Sequence, residues 1–120
     1  MDNIKGFLVE FDFSSAGFWG TFSVEKPVSN LELGGTDYVS KDLMHLLDRW
    51  NCFFDTVLTY HNRDNESNNY YVVPKVVAEM MKPVGMWLAK EAKKQIPDMP
   101  VWYTHYYEDE GRYREHIEIK

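Results

Sequence analysis

The sequence predicts an α+β domain: a two-layer sandwich with a four-stranded antiparallel sheet, in the order ββααββ, and two helices on one face. Three observations predict it. Apolar residues alternate with others at both ends of the chain. Two long apolar stripes at helical spacing lie between those ends. Turn-forming residues separate the segments. At 120 residues the chain fits one domain, and its 44% hydrophobic and 16% aromatic content is enough for a packed core.

The first strand runs over Ile4–Phe13, with Lys5, Phe7, Val9, Phe11 and Phe13 on one side and Gly6, Leu8, Glu10 and Asp12 on the other. Ser14–Gly17 is a turn, and Phe18–Val24 returns as the second strand of a hairpin, with Trp19 on the face opposite Phe18, Phe22 and Val24. Glu25–Val39, with Pro27, Gly34 and Gly35, reads as a connection. Asp37 or Ser40 caps the next segment. There Leu43, Leu46, Leu47, Trp50, Phe53, Phe54, Val57 and Leu58 form one broad apolar stripe, a helix with Asp48 and Asp55 two turns apart on an edge of its polar face.

Tyr60–Tyr71 is a polar loop, because its Asn and Asp residues compete locally for backbone hydrogen bonds. Pro74 suits the first turn of a second helix, whose buried side is Val76, Val77, Met80, Met81, Val84, Trp87 and Leu88. Pro83 is expected to kink or break it. Val101–Tyr107 and Arg112–Ile119 form the last hairpin, joined by the acidic turn Glu108–Gly111.

The net charge is -6. Residues 1–70 hold 11 acids and 5 bases, whereas residues 71–120 hold 8 of each. That balance disfavours nucleic acid as a partner, since phosphate demands Lys and Arg, and it suits either a basic protein partner or plain solvation. A single cysteine, Cys52, excludes an internal disulfide and a cysteine-based metal site. With no basic segment leading into an apolar run, and no run long enough for a membrane helix, the expected location is the cytoplasm.

Spacing argues against chemistry. His45 is followed at i+4 by Arg49, so the zinc-helix pattern is absent, and His61, His105 and His116 lie on other elements. Cys52 and His45 are seven residues apart, about 10 Å along a helix, too far for a thiolate–imidazole pair. The expectation is a protein with no catalytic residues, metal or cofactor. A small enzyme or ligand-binding domain using His105 and Tyr103, in a pocket between sheet and helices, is the reading from another class.

The arrangement of FDFSSAGFWG, a Gly-Gly loop and the helix DLMHLLDRWNCFFDTVL, with its Trp50 and following Asp55, resembles small bacterial immunity proteins of contact-dependent growth inhibition and polymorphic toxin systems. VVPKVVAEMMKPVGMWLAKEA and PVWYTHYY match the second helix and closing strand of that layout. The resemblance implies a protein without activity of its own that neutralises a cognate toxin domain, commonly a nuclease. A phage-type or other acidic inhibitor would share these features. The residues expected to meet such a partner are Asp48, Asp55, Asp64, Glu66, Glu108, Asp109 and Glu110, with the aromatic rings of Trp19 and Tyr106. A monomer or weak homodimer is expected, with neither nucleic acid nor membrane as a partner.

Overall fold

A computed structural model describes residues 3–34, 37–64, 72–109 and 111–120, with Asp64 described by its backbone alone. The elements are β1 (Gly6–Val9), β2 (Phe18–Thr21), β3 (Leu31–Glu32), α1 (Lys41–Asp64), α2 (Lys75–Gln95), β4 (Val101–Glu108) and β5 (Arg112–Glu118). The fold is α+β, with both helices on one face of a single sheet, as the apolar pattern requires.

The sheet itself differs from the expected one. It has five strands in the order β3-β2-β1-β4-β5, and it is mixed. The two hairpins form as expected, β1 against β2 and β4 against β5, both antiparallel. They join through β1 and β4, which run parallel, with Leu8 opposite Trp102. The cause is the connection: two helices separate these strands, enough chain to return β4 to the starting end of β1. The extra strand, β3, comes from the segment read as a connection and pairs Glu32 with Trp19.

β1 is central and buried on both sides. Phe7 and Val9 meet the helices, while Leu8, on the other face, is also fully buried. Trp102 packs across that second face against Gly6, where any Cβ would press into the indole ring. The second hairpin strand stops at Thr21, leaving Phe22 and Val24 exposed.

α1 continues to Asp64, beyond the loop start expected at Tyr60. It buries Leu43, Leu47, Trp50, Phe54 and Leu58, but leaves Leu46 and Phe53 exposed. α2 is continuous through Pro83, so the expected break does not occur. Pro83 sits on the exposed side, where the carbonyl four residues earlier can meet water instead of the missing N–H. The buried side of α2 is the expected one only at Val77, Met81 and Leu88. It is Val77, Ala78, Met81, Gly85, Leu88, Ala89 and Ala92, while Val76, Met80, Val84 and Trp87 face outward. Small side chains win this face because the helix lies close to the sheet: a Cβ on Gly85 would overlap the ring of Tyr103 and approach Trp50 to 2.9 Å. No helix among the described residues is long and apolar enough to cross a membrane.

Candidate functional site

Because β1 and β4 are parallel, the turn after β1 and the turn after β4 lie at one end of the sheet. Tyr106 ties them: its hydroxyl donates to the Phe11 carbonyl at 3.0 Å. The acidic segments that the sequence scatters are thereby gathered at that end.

The β1–β2 turn is the best-defined part of it. Ser14 and Gly17 have φ of 62° and 74°, a left-handed backbone that directs several N–H groups away from the strand ladder. Carboxylates receive three of them. Phe13 N–H donates to Asp12 Oδ1 at 2.8 Å, Ser14 N–H to Asp55 Oδ2 at 3.0 Å, and Ala16 N–H to Glu32 Oε1 at 3.0 Å. Asn51, 1% exposed, completes the clamp. Its Oδ1 accepts from Asp12 N–H at 3.0 Å, and its Nδ2 donates to the carbonyls of Asp12 at 2.7 Å and Ser15 at 2.8 Å. Those partners admit only one orientation of the amide.

The result is a rigid turn rimmed by Glu10, Asp12, Glu32 and Asp55. Burial raises the Asp12 carboxyl above the ordinary carboxylate range, and Glu10 and Glu32 raise it further. The Phe13 N–H and Arg114 act in the opposite direction. Arg114 reaches Glu10 at 3.1 Å and lies over the Tyr106 ring at 4.8 Å. Ser29 Oγ–H donates to the other oxygen of Glu10 at 2.8 Å.

Of the residues expected to bind a partner, Asp55 belongs to this rim and Asp48 lies exposed on the same flank of α1, seven residues earlier. Trp19 is half-buried, its Nε1–H donating to the Glu10 carbonyl, so its ring supports the rim. Tyr106 is likewise half-buried, and burial raises its hydroxyl well above the usual phenol range. At the second turn, Glu108 pairs with Arg112 at 3.3 Å, and Asp109 accepts from Lys75 N–H at 3.3 Å, capping α2. These two acids do not join the rim. Glu66, Glu110 and the side chain of Asp64 lie outside the described residues.

His105 and Tyr103 sit beneath α2 and are both buried. The His105 Nε2 is 3.7 Å from Glu79 Oε1, beyond hydrogen-bonding distance, and among the described residues its Nδ1 has no partner. Burial, then Lys82, lowers the His105 pKa against the pull of Glu79 and Glu115. Burial also lowers His116, whose Nδ1 lies 2.9 Å from Thr104 Oγ1.

No protein-family model, curated protein or solved structure matches the chain. The site therefore rests on its own geometry. Sequence reading missed Glu10, Asp12 and Glu32 of the rim, and it missed Asn51, whose signal is a polar amide inside the apolar stripe, between Trp50 and Phe54 and four residues after Leu47.

Proposed function

We propose that this chain is a protein-binding domain that neutralises a cognate toxin, using the acidic rim of the β1–β2 turn against a basic surface. The carrying observation is that Asp12, Glu32 and Asp55, from three separate elements, are each anchored to a backbone N–H of one rigid turn. Acids that only solubilise a surface are mobile. Acids held in place form a fixed negative field, which steers a basic partner and lowers the ordering cost of binding. The resemblance to immunity proteins supplies the class of partner, and a nuclease toxin needs the basic surface that this rim would meet.

The test is to sequence the genes next to this one and co-express this chain with the toxin domain the proposal expects among them, scored by growth, followed by association kinetics at two ionic strengths. Asp48→Lys combined with Asp55→Asn removes rim charge while keeping an oxygen for the Ser14 N–H. It is expected to slow association at least about threefold at low salt, and much less at high salt. Growth that does not depend on this chain, or an association rate indifferent to the double variant at both salts, would sink the proposal.

A further inference from the structure

The two helices carry a second apolar surface on the side away from the sheet. Val76, Met80, Val84 and Trp87 of α2 are 65%, 58%, 48% and 49% exposed, and Leu46, Phe53 and Tyr60 of α1 are 45%, 60% and 55% exposed. The spacing separates this surface from the core. Along α1, residues 46, 53 and 60 repeat every seven positions, and along α2, residues 76, 80, 84 and 87 step by four, four and three. Each row keeps to one side of its helix, as a surface that meets other helices does. The core positions of α2, between Val77 and Ala92, occupy a separate side, against the sheet.

α1 and α2 are antiparallel, as two contacts show. Trp50 Nε1–H donates to the Met81 carbonyl at 3.2 Å, and Gln95, at the end of α2, donates its Nε2–H to Ser40 Oγ, just before α1, at 3.3 Å. Between them runs an apolar groove of about 340 Å³, with Arg49 at its edge.

We propose that a second copy of this chain covers this face, the two helix pairs stacking about a two-fold axis parallel to the helices into an antiparallel four-helix bundle. Size is the first reason. Seven large side chains, each about 200 Å² and about half exposed, present roughly 700 Å². That exceeds the roughly 300–600 Å² patch of an ordinary monomer and approaches the roughly 800 Å² per partner of a specific interface. Charge complementarity is the second. Asp48 and Asp55 lie on the opposite flank of α1, so the charges that count are those at one end of the face, Asp42 of α1 and Lys90 and Lys94 of α2. The proposed axis lays α1 of each copy on α2 of the other, with every neighbouring helix antiparallel. Asp42, in the first turn of α1, then meets the level of Lys90 and Lys94 near the end of the other copy's α2. The acidic rim lies on the opposite flank of α1, so the toxin-binding reading does not depend on this pairing.

Sedimentation of the full chain from about 1 to 100 μM tests it. The wild type is expected to reach twice the mass of one chain. Met80→Glu and Val76→Glu each act twice across the axis, and each is expected to weaken association at least about a hundredfold. Both positions are more than half exposed, so folding should survive. Circular dichroism checks this, and if one variant unfolds the other carries the test. Asp42→Lys is expected to weaken the dimer and Lys90→Glu in the same chain to restore it. A wild type monomeric at 100 μM, a dimer indifferent to both glutamate variants, or a charge swap without rescue would each overturn the proposal.

Discussion

Replacing Asn51 tests whether the β1–β2 turn is held from the helix layer or by its own residues. Asn51→Ala deletes three hydrogen bonds of 2.7 to 3.0 Å and orphans the Asp12 N–H and the Ser15 carbonyl, 39 and 36 residues away in the chain, while the Asp12 carbonyl keeps the Ser15 Oγ–H at 3.3 Å. A buried orphan costs about 1–3 kcal/mol. The turn is only partly buried, so water should reach some of these groups, and about 1 kcal/mol each is the appropriate figure, near 2 in all. Alanine regains about 0.6 kcal/mol of helix propensity. The net loss is then about 1–2 kcal/mol, a fall in Tm of about 6 °C for a domain of this size. Urea unfolding followed by tryptophan fluorescence would read it as a lower midpoint with unchanged slope. Asn51→Asp sharpens the test. It retains an acceptor for the Asp12 N–H but turns a carboxylate oxygen towards two carbonyls, so it should be at least as destabilising at pH 7. A loss below about 1 kcal/mol for Asn51→Ala, or an Asn51→Asp variant as stable as the wild type, would refute the clamp.

Three further outcomes follow from the same geometry. Gly85→Ala should cost about 1–3 kcal/mol despite better helix propensity, because its Cβ overlaps Tyr103; Gly34→Ala, with nothing within 4 Å, is the control, and equal stability of the two in urea would contradict the close helix–sheet approach. His105 and His116 have pKa values lowered by burial, so the unfolded chain takes up protons first. Their stability contribution is present above about pH 6.5 and is lost as pH falls from there towards the folded values; His105→Phe should flatten part of that dependence, and a stability–pH curve unchanged by it would argue otherwise. Asp109→Ala should cost about 1 kcal/mol by uncapping α2, while Asp48→Ala, at an exposed position, should shift stability by less than about 0.5 kcal/mol. Thermal melts of the pair would separate the structural acid from the one left for a partner.

Periodicity made the four main strands and two helices legible, because each needs one apolar side whatever it packs on. The turn at Ser14–Gly17 was legible too, since its residues suit a left-handed backbone. Rotation about the helix axis was not. The broad stripe on α1 and the many large apolar residues of α2 were read as core, yet a helix on one sheet buries only part of such a stripe. The small residues of α2 took the inner face because Tyr103 and Trp50 leave no room for larger ones. Of the acidic positions, composition marked the charge, but only the pairings separate Asp109, which caps a helix, from Asp48, which has no hydrogen bond or ion pair among the described residues.

The sequence by itself determined the α+β class, the two hairpins, the helical spans to within a few residues and the acidic character of the chain. Local propensity and apolar spacing act over a few residues, and they suffice for that. The tertiary structure decided the parallel β1–β4 pairing, the continuity of α2 through Pro83, and the gathering of Asp12, Glu32 and Asp55 around one turn. It also decided which apolar seam stays outside. Each depends on what meets across the fold: a buried face is chosen by its partner surface, and a carboxylate becomes part of a site only where the chain brings it an N–H to hold.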